Sequence, residues 1–445
     1  MTTKTMQVQP PALKHPAKKG VRGILDLSLS SVLGALLFFF LLIENPIEPY
    51  APGLNYLDEL IFVVSVVSAI VLAGRRRIDF SSSLSKIVTI AVVMLLIGFA
   101  GNVVNPFQHS VAAIISELVA FLKAPLTMVA LLVVMKRRQT DELLSCCGAI
   151  AKAFILVCFL FCCLNLIAPS AAFGYDVRNG ITSFKFIYSH PTFLVLALVM
   201  CFVVLEANGK RIDAFKVMCL FVLVMTMRDK AIGFMAFVLA SWALGISKKK
   251  TVLVYAVGIG AIVLYVVWPK IALYMSYSSS PREALYTAAF QMAVDCFPIG
   301  GGLASIASSL SGEYYSSAYV AYGLSGMVGL SPYDYIDMGD AGFSYYLGQF
   351  GFVGFALFIA ILVLMYKVVV KALPIGSARR SATLALLAYV LIALTVENVL
   401  TNASGVSIAV LFAFVAGGFS ARDTGVSFFG GRAPGSGVRA LGRKQ

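Results

Sequence analysis

The sequence predicts an all-α polytopic membrane protein of about twelve transmembrane helices, with a large external loop between the ninth and tenth. Three observations carry that expectation. Apolar runs recur at lengths near twenty residues, about what a helix needs to cross a bilayer. Charged residues make up 13% of the chain and hydrophobic residues 60%, whereas a soluble domain carries about 25% charged residues. Unbroken runs such as 251–268 lack the period-two alternation of a barrel strand, so each segment must satisfy its backbone as a helix.

In chain order the expected spans are 24–43, 58–73, 87–104, 111–135, 143–167, 191–206, 212–226, 230–246, 251–268, 343–366, 382–398 and 402–420. With the N-terminus inside, 27 of the 35 Lys and Arg fall on inner segments, including Arg75–Arg77, Lys136–Arg138, Lys248–Lys250 and Arg379–Arg380. That bias follows the positive-inside rule and puts both termini in the cytoplasm. It also argues against nucleic acid as the reason for a net charge of +14. The tails 1–23 and 421–445, rich in Pro, Gly, Lys and Arg, are too polar to bury a core and are expected to be disordered. The stretch 24–420 is expected to form one transmembrane domain. No small-x-small site follows the first apolar run, "LLFFFLLIENPIEP", so that run is expected to stay as an anchor. The eight cysteines sit mainly within spans, with no disulfide framework and no metal-ligand spacing.

Two outer loops, 168–191 and 269–342, are longer than a connection requires. In the second, Ser280-Pro281-Arg282-Glu283 reads as a helix start with Ser at N-cap, Pro at N1 and Glu closing a capping box. Leu285, Ala288, Met292 and Cys296 follow at helical spacing, and "FPIGGG" ends the helix. A cation in a helix's first turn opposes the dipole. There Arg282 joins the free N–H groups in a site suited to phosphate; the competing reading is a solvated surface arginine. Arg178, Arg228 and Lys230 are further outer cations, with Asp229 as a local partner for the last two. Together they suggest a polyanionic ligand. The Tyr-rich loop, with Tyr286, Tyr319 and Tyr322 among its members, suits either sugar stacking or an interfacial aromatic belt. Of the outer acids, Asp340 lies at the mouth of the tenth span, on rigid structure. Within the spans, Glu117 and Lys123 are costly in lipid and are expected to find protein partners.

Four segments resemble the O-antigen and exopolysaccharide polymerase (Wzy-type) family, which is related to the O-antigen ligases. These are "DVRNGITSFKFIYSHPTFLVLALV", "TMRDKAIGFMAF", "PREALYTAAFQMAVDCFPIGGGLAS" and "MGDAGFSYYLGQFGFVG", spread over about 170–360. Asp340 stands where the ligases usually have His, which favours polymerase over ligase. The resemblance implies a GT-C-like fold in the bacterial inner membrane and a metal- and cofactor-independent transfer on its outer face. A growing glycan on undecaprenyl diphosphate would pass to a lipid-linked repeat unit, with a flippase and a chain-length regulator as partners. In that scheme Asp340 is the base and Arg282 the diphosphate ligand and catalytic cation. Arg178, Arg228 and Lys230, with Tyr286, Tyr319 and Tyr322, bind substrate. The alternatives are a lipid-linked oligosaccharide flippase or transporter, and an O-antigen ligase.

Overall fold

The computed structural model describes residues 28–75, 82–135, 137–178, 180–209, 211–243, 280–336 and 338–417. The expected ninth span, the 247–250 cluster, the long loop up to residue 279, Asp337 and both tails lie outside the described residues. The rest is mostly helical: α1 (Leu29–Ile47), α2 (Leu57–Arg75), α3 (Ser82–Val104), α4 (Val111–Val134), α5 (Arg137–Ile167), α6 (Pro191–Asn208), α7 (Ala214–Met225) and α8 (Asp229–Ala243). After residue 280 come α9 (Pro281–Asp295), α10 (Ser309–Glu313), α11 (Ala318–Ala321), α12 (Gly342–Ala372), α13 (Ala378–Ala393) and α14 (Ala403–Ala416). Among the described residues, seven helices are long and apolar enough to cross a membrane: α1 to α6 and α12. Helices α7 and α14 are shorter apolar helices.

Unlike a soluble bundle, the helices are apolar on the outer surface as well as in the core. Helix α6 is apolar all round and is buried along almost its whole length, packed by α5, α13, α7, α14 and α1. Helix α14 is its counterpart against α4 and α13. The surrounding helices turn large apolar side chains outward, among them Leu36 and Phe40 of α1, Val64 of α2, Leu96 of α3 and Leu164 of α5. A band of exposed hydrocarbon on that scale marks a surface made for lipid.

One sequence expectation is corrected outright: the chain is not purely α. The 168–191 loop holds an antiparallel hairpin, β1 (Gly174–Arg178) and β2 (Ile181–Phe184), with Val177 paired to Thr182 and Arg178 to Ile181. The Asn-Gly dipeptide at 179–180 was its signal, because both central positions of the tight hairpin turn favour positive φ; Gly180 has φ 78°.

The long loop does not simply cover the bundle. Residues 300–306 dip between α3 and α12, and α12 breaks where they enter, at Gly351 with φ 64° and ψ −169°. Backbone placed there needs partners, since lipid supplies none. Gly301 and Gly302 donate to the carbonyls of Gly348 and Gln349 at 2.9 Å each, which the break in α12 leaves open. Four carboxamides cover much of the remainder. Asn102 donates to Leu303 O and accepts from Leu303 N, Asn105 donates to Gly300 O, and Gln108 donates to Ala304 O. Gln349 accepts from Ala304 N and donates to Ile306 O. Glycine is required at the crossing: a Cβ on Gly302 would lie 2.4 Å from Asn102 N, and one on Gly351 would lie 2.5 Å from Pro298 O. Thus "FPIGGG" and the Gly351 segment, far apart in sequence, form one joint.

Candidate functional site

Chain direction sorts the helix ends into two sets. At one end lie the α1–α2 turn, the α3–α4 turn, the β-hairpin, the α7–α8 turn, the long loop and the α13–α14 turn. Contacts tie these together: Ser189 N donates to Asn45 Oδ1 at 3.1 Å, and Ser317 N to Phe107 O at 3.0 Å. At the opposite end Arg379 bonds Thr140 and Asp141, and Lys216 pairs with Glu206 at 2.7 Å. Every residue singled out from the sequence as catalytic or substrate-binding lies at the first end.

Two of them meet directly. Arg282 Nε donates to the Asp340 carbonyl at 2.7 Å, and an Nη donates to the Asp340 carboxylate at 2.9 Å. The expected capping box does not form: Ser280 is the N-cap without a side-chain bond, and Glu283 leaves Oε2 buried without a partner among the described residues. The first turn of α9 therefore has no side-chain cap from Ser280, and beside it stands a guanidinium with five N–H donors, two of them directed at Asp340. The apolar stripe of α9 behaves as expected: Leu285, Ala288, Met292 and Cys296 are buried, with the helix packed on α12. That packing fixes Arg282 against the start of α12.

Tyr286, one turn further along, donates to the carbonyl of Thr395 at 3.1 Å in the α13–α14 turn. Burial pushes its phenol up to about 12, against a smaller opposing effect of Arg282. The next acid in that turn, Glu397, accepts from Lys230 at 2.6 Å. Lys230 thus pairs with Glu397, a residue that sequence distance hid, and its side chain is 4% exposed.

The third cluster sits on the hairpin. Asp176 accepts from Arg178 Nε at 2.7 Å and from Arg228 at 3.4 Å, and Ser183 donates to it. Burial works against the Asp176 carboxylate, but Ser183, Arg178 and Arg228 outweigh it and hold the group below its usual range. Arg228 is itself held lower, first by burial and then by Arg178. The Tyr175 ring lies 5.5 Å from the Arg228 guanidinium and 5.9 Å from the Lys185 ammonium, with the His190 ring edge-on at 4.8 Å. His190 caps α6 by accepting from Thr192 N, and it is pushed down to about 4 by burial and by the charges of Arg228 and Lys230. Tyr175, Asp176 and His190 were missed as members of this group. The signal for Tyr175 and Asp176 was the Tyr-Asp-x-Arg run of the hairpin; His190 lies at the start of α6.

The tyrosines divide. Tyr319 is fully buried, its hydroxyl accepting from Ala307 N at 3.0 Å and bonded to Ser311 at 2.7 Å. It is a core residue of the loop, its ring enclosed by protein rather than turned to the Arg282–Asp340 pair. Tyr322 is half-buried and donates to Asp295 at 3.3 Å, beside Phe107. It is not tied to the Arg282–Asp340 pair by any described contact. The polar residues within spans find partners as expected. Lys123 bonds Asp58 at 2.6 Å and Glu59 at 2.7 Å, and Glu117 accepts from Ser308 at 2.5 Å beneath the inserted loop.

Among the described residues, no group of three or more His, Cys, Asp or Glu side chains is placed to hold a metal ion. Compared with known proteins, the chain matches no family model and no curated sequence. What the fold and site define is a helical, membrane-embedded protein with paired cations and carboxylates gathered at one end of its bundle.

Proposed function

We propose that this protein is a polysaccharide polymerase of the Wzy type, working on the outer face of the bacterial inner membrane. It would transfer a growing glycan from undecaprenyl diphosphate to a lipid-linked repeat unit, in a bundle of about twelve spans with both termini inside. One observation carries the reading: the Arg282–Asp340 pair, with Lys230–Glu397 close by through the α13–α14 turn. The four motif segments quoted above are the other support.

The chemistry suits those groups. An acceptor hydroxyl attacks the anomeric carbon, the bond to diphosphate breaks, and the lipid diphosphate leaves with the electron pair. The hydroxyl proton goes to a base. Preorganised donors aimed at the leaving oxygens lower the barrier most, and Arg282 in the first turn of α9 offers them. In the free protein Asp340 neutralises Arg282. A bound diphosphate competes for the same guanidinium and releases the carboxylate for proton transfer. Arg228 and Arg178, shared across Asp176, are the second cationic group. Tyr286 fixes α9 to the turn that carries Glu397.

The competing reading is a lipid-linked oligosaccharide flippase, and the break at Gly351 is the observation in its favour, since discontinuous helices line transport sites. Against it, the carbonyls of Gly348 and Gln349 at the break are bonded by the amides of Gly301 and Gly302, and the candidate charged residues gather at one end. An O-antigen ligase differs in its acceptor; Asp340 in place of its His speaks against that. A deletion strain distinguishes the readings. Single lipid-linked units accumulating on the outer leaflet are expected of a missing polymerase, whereas units trapped on the inner leaflet would identify a flippase.

A further inference from the structure

Asn398 follows Glu397 in the α13–α14 turn and is 5% exposed, yet neither Nδ2 nor Oδ1 has a partner among the described residues. A carboxamide can donate two hydrogen bonds and accept two, and buried polar groups in folded proteins are nearly always paired. A buried side chain with both ends open calls for a partner that the described residues do not supply.

Its place is set by the backbone. Asn398 N donates to Gly339 O at 2.9 Å, immediately before Asp340. On the same side, the turn presses so closely on the start of α12 that a Cβ on Gly342 would lie 2.3 Å from Glu397 O. Asn398 is therefore tied through its backbone to the residue before Asp340, and in the chain it follows Glu397, the partner of Lys230. Two other buried groups nearby are also open: Nε of Arg228, two residues before Lys230, and the hydroxyl of Tyr389, whose ring packs edge-on against Phe234 of α8. These atoms do not reach one another. Arg282, Asp340, Lys230 and Glu397 are committed to ion pairs, and the neutral carboxamide is left as the two-way group.

We propose that Asn398 is a substrate-binding residue that reads neighbouring hydroxyls of a sugar in the lipid-linked substrate. A phosphate only accepts, so it would satisfy Nδ2 and leave Oδ1 open. A pair of hydroxyls, each donor and acceptor at once, satisfies both atoms together. The choice of a sugar on a lipid rests on the polymerase reading; the need for a ligand that donates and accepts does not.

The test uses full-length protein in nanodiscs and the lipid-linked repeat unit extracted from the deletion strain, with binding and polymerisation measured side by side. Asn398→Leu keeps the size and removes both polar atoms; Asn398→Ser keeps one group that donates and accepts. Asn398→Leu should melt at or above the wild-type temperature, because a buried orphan is gone. Its Kd and KM should rise roughly tenfold to a hundredfold, the loss of two hydrogen bonds to ligand, with Asn398→Ser between. A lowered melting temperature with unchanged Kd in both variants would assign Asn398 to an internal ordered water and overturn the proposal. Wild type that binds the unit without extending it would remove the polymerase reading alone, and the ratio of Kd values would still judge Asn398. Wild type that does not bind the unit overturns both.

Discussion

Asp340 is expected to be the group whose loss costs most in rate for the least change in shape. Asn in its place still accepts from Arg282 but cannot take a proton, so Asp340→Asn should insert normally, bind substrate and lose about 10²–10⁴-fold in turnover. The N-cap of α12 is Ala341, one residue beyond Asp340. Near-normal turnover by purified Asp340→Asn would reduce the residue to holding Arg282 in place. For Arg282 itself, Arg282→Ala should lose about 10²–10³-fold, the usual cost of one preorganised donor. Arg282→Lys should also be impaired, since a point charge does not reproduce the guanidinium fork. His190 gives a pH signature. Its pKa is lowered in the folded protein to about 4 from 6.5, so between those values the unfolded chain binds more protons than the folded one. Stability is then full above about pH 6.5 and falls as the pH drops toward about 4. Melting curves of His190→Asn, whose side chain can still accept from Thr192 N, should lose most of that slope.

At the scale of elements, the joint between the 300–302 turn and the break in α12 can be tested with glycines. Gly302→Ala must place a Cβ 2.4 Å from backbone at φ 86°, whereas Gly323→Ala, at φ 69°, meets nothing within 4 Å. The second variant isolates the left-handed strain, about 1–2 kcal/mol. The first adds a clash that only a shift of α3 or of the turn can relieve. Thermal melts in detergent should therefore show Gly302→Ala well below Gly323→Ala; equal midpoints would mean that the crossing is looser than its geometry. The same joint explains why α9 can be a site element at all. Its end is anchored into the bundle by "FPIGGG", so its first turn is held as firmly as a span would hold it.

For the whole molecule, the expected orientation puts the site end outside. Val328, 82% exposed in the long loop, is a suitable reporter. Ser311, by contrast, is buried in a capping box with Ser308 and would be shielded whichever way the protein faced. Val328→Cys should react with a membrane-impermeant thiol reagent in intact spheroplasts. Reaction only after the membrane is broken would invert the topology and with it the outer-face assignment.

The amino-acid sequence alone determined the class of the protein, the approximate position of most helices and the end at which the candidate residues lie. Those follow from hydropathy, charge bias and capping residues, which act over a few residues or a single span. It also marked Arg282, Asp340, Arg228 and Lys230 individually. Their pairing was decided only by tertiary structure: Arg282 with Asp340 across 58 residues, and Lys230 with Glu397 across 167. The same is true of Asp176 shared between two arginines, Tyr319 drawn into the core, and Asn398 buried without a side-chain partner among the described residues. An ion pair or a buried orphan is set by which helix ends packing brings together, and periodicity within one helix carries no record of its neighbours.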